Sequence, residues 1–171
     1  MSGANRHAPL AILHFQGGGC GGCGLEIEAL LAGGRSGTHG LRLVESPRHA
    51  DLLLVSGSVG HTLMQALEAA WSAMPEPKWL VAAGACAVNG GPFGRDGYAG
   101  TVGIGTRLPV SLVIPGSPPA PEAVLAGLRL LADSIRGPFA AAAPELSPPS
   151  APARPPAAPR HPHAGDDSSA G

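Results

Sequence analysis

Residues 10–31 read LAILHFQGGGCGGCGLEIEALL, and their order decides the fold. Leu10–Phe15 is a short apolar run bounded by glycine, the pattern of a buried strand. Gly24–Ala32 has apolar residues at 25, 27, 30 and 31 with Glu26 and Glu28 between them, which predicts an amphipathic helix ended by Gly33-Gly34. The turn joining them carries Cys20 and Cys23; the one other cysteine of the chain is Cys86. Two soft thiolates on a glycine-rich turn that opens a helix can hold a metal or perform redox chemistry. Three cysteines are one short of the four thiolates that a zinc or iron–sulfur site commonly takes.

Outward from this stretch, strand and helix alternate. Leu41–Val44 and Asp51–Val55 are expected as strands, His61–Met74 as a helix closed by Pro75, and Trp79–Ala83 as a further buried strand leading into a Gly84-Ala85-Cys86 loop. Ser111–Ile114 is expected as the last strand. Pro121–Ile135 is expected as a helix with proline in its favoured first turn. Alternation of this kind, with strands that are continuously apolar, implies an α/β fold: a mostly parallel, flavodoxin-like sheet with helices on both faces. In such sheets ligands sit beyond the carboxyl ends of the strands. Cys20 and Cys23 follow the first strand, Cys86 follows the Trp79 strand, and Pro115-Gly116-Ser117 follows the last. All three loops are therefore expected at one sheet edge.

Composition sets outer bounds. The chain has 171 residues, a length that favours one domain. Beyond Gly137 it is rich in Pro, Ala and Ser and nearly empty of large apolar side chains, so 137–171 is expected to be a disordered tail. Residues 1–9 are expected to be a flexible start, leaving 10–136 as the folded domain. Charged residues make up 13% of the chain and the formal net charge is −1. That leaves no basic footprint for nucleic acid and no polybasic patch for a membrane surface. The low charge fits both a GC-rich coding bias and a subunit largely covered by partners. No apolar run approaches the about 18 residues of a membrane helix, and MSGANRHAP lacks a signal-peptide pattern. A cytoplasmic setting is expected, where cysteines serve as ligands or redox groups more than as structural disulfides.

The residues alone leave several chemistries open for the cysteines. An iron–sulfur cluster suits Cys-x-x-Cys beside glycine N–H groups and a helix start. A thioredoxin-like dithiol also needs Cys-x-x-Cys after a strand, but leaves Cys86 and the PGSPP loop unused. A zinc site would recruit a histidine, His14 or His61. A phosphate loop lacks its Gly-Lys-Ser/Thr. Trp71 and Trp79 are read as packing residues rather than as an electron path.

Four motifs in order, CGGCGLE (20–26), MPEPKW (74–79), GACAVNGGPF (84–93) and PGSPPAPEAVL (115–125), carry a resemblance. They resemble the small iron–sulfur subunit shared by respiratory complex I, its 20 kDa or B subunit, and the nickel–iron hydrogenases. The likeness extends over nearly all of residues 10–133. The separated Cys-x-x-Cys is more similar to the membrane-bound, energy-converting hydrogenases than to complex I, whose subunit typically has two adjacent cysteines there.

The resemblance implies a 4Fe–4S cluster with ligand positions at Cys20, Cys23, Cys86 and 117. The family pattern has cysteine in the last loop and this chain has Ser117, a harder ligand that releases its proton less readily. A serine-ligated cluster, a three-iron (3Fe–4S) or solvent-ligated cluster, and loss of the cluster are the three states this leaves open. An arginine of the family pattern just past the proline pair is replaced by Ala120. Glu26 matches a family glutamate near the cluster and a proton path; as a first-turn carboxylate it also suits the helix dipole. The implied partners are a large hydrogenase-like or quinone-site subunit, a ferredoxin-like iron–sulfur subunit and membrane subunits of the same complex. The expected role is a non-autonomous electron-transfer subunit, peripheral on the inner face of the cell membrane, and the lost cluster would leave a structural subunit.

Overall fold

A computed structural model describes residues 9–32, 40–94 and 101–136. The expected tail over 137–171, the helix end at Gly33-Gly34 and all but Pro9 of the expected flexible start lie outside the described residues. Five strands form one parallel sheet in the order β2-β1-β3-β4-β5. They are β1 (Leu10–Gln16), β2 (Leu41–Leu43), β3 (Leu52–Ser56), β4 (Trp79–Ala83) and β5 (Leu112–Ile114). This is the flavodoxin-type order, in which the chain reverses direction across the sheet between β1 and β3. Among the described residues the α-helices are α1 (Gly22–Ala32), α2 (His61–Ala73), α3 (Ala85–Asn89) and α4 (Pro121–Arg136).

The apolar runs become strands because both sheet faces are covered. Along β3 every residue is buried. Leu52 and Leu54 belong to one core with Ile12, Val81 and Ile114, covered by Ile27 and Leu31 of α1 and by Val124, Leu128 and Ala132 of α4. Leu53 and Val55 belong to a second core with Leu80 and Ala82, covered by Met64 and Leu67 of α2 and Ala87 of α3. Successive side chains alternate between the faces, so a continuous apolar strand is what two covered faces require. Each fully buried leucine contributes about 1.5–3 kcal/mol through removal from water. The four-residue spacing of Val124, Leu128 and Ala132 lays one stripe of α4 against the sheet.

Several element ends differ from the sequence expectation by a residue or two, and three differences have a local reason. α1 begins at Gly22 rather than Gly24, so Cys23 lies in its first turn; glycine's low helix propensity hid this start. Cys86 does not sit in an open loop. It occupies the short helix α3, which is bracketed by Gly84 (φ 87°) and Gly90 (φ 89°). β3 runs one residue further than expected, to Ser56, because it stays paired with both β1 and β4 to that point. Trp71 and Trp79 are half-buried and pack against the second and first core respectively.

Candidate metal centre

All five strands point their carboxyl ends to one edge, and there the glycine-rich segments meet. Gly17 N–H donates to Ser56 O (2.7 Å), and Gly18 and Ser58 exchange backbone hydrogen bonds of 2.7 and 2.8 Å. A Cβ at Gly17 would stand 2.6 Å from Ser58 O, and one at Gly57 would stand 2.7 Å from Gly18 O. Glycine at both positions lets the β1–α1 and β3–α2 turns lie against each other. They form the floor of a depression lined by Cys20, Cys23 and Cys86 together with Gln16 and Gly57.

Cys20 is exposed; Cys23 and Cys86 are buried, and all three are free thiols. Gly84 is the joint between the loops. A Cβ there would fall 2.6 Å from Cys23 Sγ and 3.6 Å from Gly116 O, and Ala85 N–H donates to that same Gly116 carbonyl at 2.7 Å. The backbone of the PGSPP loop is thereby fastened to the turn that carries Cys86. Gly91 leaves room on the other side, where a Cβ would be 3.0 Å from Cys86 Sγ.

Burial first, then the neighbouring Cys86 and Cys20 thiols, push the Cys23 thiol above its ordinary range. Burial, then Cys20, does the same to Cys86. The three sulfurs thus repel one another as thiolates, and a bound cation is what stabilises them together. Soft sulfur donors select iron–sulfur clusters, zinc or copper(I). Among the described residues no three His, Cys, Asp or Glu side chains are spaced to share one metal ion. In a four-iron cluster each thiolate binds a different iron, which asks for sulfurs spread around a body rather than gathered on a point. The donor chemistry fits such a cluster at three positions.

The remaining expected residues fall outside the depression. Ser117 is exposed and is not among the lining residues, although its neighbour Gly116 is tied to Ala85. Glu26 is half-buried on α1, one turn beyond Cys23. The two histidines weighed for zinc are elsewhere. His61 is exposed at the start of α2. His14 Nε2 lies 2.9 Å from Ser56 Oγ in a hydrogen bond, and its Nδ1 lies 3.9 Å from Glu28 Oε1. Burial holds the His14 imidazole below its ordinary pKa, against the pull of Glu28.

Sequence reasoning missed Gln16 and Gly57 as parts of the site. The signal for Gly57 was present, a glycine directly after the buried β3 run. Gln16 carries no such mark.

Comparison with known proteins bears on what this edge does. The sequence profile of the family described as NADH ubiquinone oxidoreductase, 20 Kd subunit, matches residues 20–131. A B subunit of the NADH-quinone oxidoreductase of Symbiobacterium thermophilum is 42% identical over 119 residues, covering 67% of this chain and 69% of that protein. The B subunit of the F(420)H(2) dehydrogenase of Methanosarcina mazei is 40% identical over 119 residues, covering 69% of this chain and 63% of that protein. Among solved structures, a chain of the membrane-bound sulfane sulfur reductase, an archaeal respiratory membrane complex, superposes with a TM-score of 0.64 at 31% identity, covering 79% of this chain and 75% of that chain. The chain spans 36% of the length of a B subunit of the NADH-quinone oxidoreductase of Rubrobacter xylanophilus.

Proposed function

The chain belongs to the family of the NADH ubiquinone oxidoreductase 20 Kd subunit, and we propose from that premise that it is the electron-transfer subunit of a hydrogenase-like or quinone-reducing complex. It is a subunit of an oxidoreductase rather than a self-sufficient enzyme. One observation carries the reading: free thiols from two separate segments, Cys20 and Cys23 after β1 and Cys86 after β4, line one depression.

Cys20, Cys23 and Cys86 hold a 4Fe–4S-type cluster, which supplies one-electron storage when bound. Buried Cys23 and Cys86 and exposed Cys20 would supply its thiolate ligands. The fourth position would fall to the Ser117 loop, whose hydroxyl is a harder ligand than a thiol. Gly17 and Gly57 let the two turns lie against each other, and Gly84 leaves room for the Cys23 sulfur. Glu26, one turn into α1, is the chain's own candidate for passing protons near the site. The large partner subunit, with the substrate site, docks over this edge, and a ferredoxin-like subunit supplies electrons. No described helix is long and apolar enough to cross a membrane; attachment to the inner face of the membrane would come from the other subunits of the complex.

The exposure of Ser117 outside the depression favours a second reading, a structural subunit that keeps the fold and partner contacts without a cluster. The two separate on anaerobic co-purification with the large partner followed by assay of iron and acid-labile sulfide. The electron-transfer reading expects both in the unsubstituted chain and tighter retention in Ser117→Cys. Iron and sulfide appearing in Ser117→Cys alone establishes the structural reading.

A further inference from the structure

Gln16 stands at the end of β1 and lines the cysteine depression without being a ligand candidate. Its carboxamide lies across the first turn of α1. A Cβ built on Gly24 would be 2.5 Å from its Cδ, 2.6 Å from Nε2 and 2.7 Å from Oε1. The nitrogen also lies nearest the turn between the two cysteines, 3.8 Å from where a Gly21 Cβ would be. No residue among those described hydrogen-bonds this carboxamide.

Gly24 is the telling neighbour. Its backbone does not have the positive φ that calls for glycine, and it sits in the first turn of a helix, where glycine is a weak helix former. The backbone gives no reason for glycine here; the space that the Gln16 carboxamide occupies does. An exposed amide with two N–H donors thus lies beside a turn whose side chains are two thiols. A thiolate sulfur only accepts hydrogen bonds, so it selects the nitrogen end.

We propose that Gln16 is a positioning residue that sets the reduction potential of the centre, its N–H, without a partner among the described residues, donating to sulfur of the Cys20–Cys23 turn once the centre is occupied. The inference rests on the electron-transfer reading above. Hydrogen bonds to cluster sulfurs are one of the levers that set potential. They stabilise the more negative, reduced state, so this donor raises it.

The test is a mediated redox titration of the anaerobically purified complex, followed by low-temperature EPR, with iron and sulfide quantified in each sample. Three variants separate donor, charge and position. Gln16→Leu removes the donor. Gln16→Glu keeps the length and adds a negative charge. Gly24→Ala leaves Gln16 intact, but its methyl displaces the carboxamide, the movable end of a flexible side chain. All three are expected to shift the midpoint potential downward at unchanged iron content, Gln16→Glu furthest. Adding Gly24→Ala to Gln16→Leu is expected to cause no further shift, because both remove the same contact. A purely structural Gln16 would move the melting temperature and leave the potential in place. Unmoved potentials in Gln16→Leu and Gly24→Ala with full iron content overturn this inference alone. Absence of iron and sulfide from the unsubstituted complex overturns it together with the reading it rests on.

Discussion

Gly84 and Cys23 are in contact across two loops: a methyl group at residue 84 would overlap the Cys23 sulfur at 2.6 Å. Gly84 also has φ 87° and ψ 152°, a region that costs other residues about 1–3 kcal/mol. Gly84→Ala is therefore expected to lower stability by about that amount and to empty the centre of iron. Urea melts paired with iron analysis check both. Full iron content at lowered stability would separate the fold from the site and contradict the contact's role.

The buried His14 makes stability depend on pH. Its folded pKa is held below the ordinary histidine value of 6.5, so below that value the unfolded chain takes up protons that the folded chain refuses. Stability is fully present above about pH 6.5 and declines as pH falls toward the folded-state pKa. Melting temperatures from about pH 7.5 down to about pH 5.5 should fall, and His14→Gln should flatten that slope. An unchanged slope in the variant would assign the pH dependence to other groups.

The sheet core should respond as a two-faced layer. Leu54 is fully buried in the central strand, and Leu54→Ala is expected to cost about 2–5 kcal/mol. Leu130, on α4, is 67% exposed, and Leu130→Ala should stay within about 0.5 kcal/mol. Chemical denaturation of the two variants side by side provides the comparison.

Much of this was legible in the sequence because burial on two faces leaves a plain mark. The runs at Leu52–Val55 and Trp79–Ala83 could be read as parallel strands, and the strand ends then put the Cys20, Cys86 and Ser117 loops on one edge. The site's interior was less legible. Gly22 and Cys23 looked like turn residues, yet they start α1, since the tertiary contacts of the turn outweigh glycine's weak propensity. Cys86 read as a loop residue, because the helix that holds it has five residues and is fixed by positive-φ glycines at both ends. Gln16 could not be found from the sequence at all. Its place depends on which atoms fill the space above Gly24, and a sequence shows a glycine without showing what lies against it.

The central claim is that thiols from the Cys20–Cys23 turn and from Cys86 hold one iron–sulfur centre. Low-temperature EPR of the reduced complex, with and without Cys86→Ala, tests it most directly. An iron–sulfur signal is expected from the unsubstituted complex, with this component lost in Cys86→Ala while the large partner stays bound. The same spectrum in both samples, or no signal and no iron in either, would contradict it.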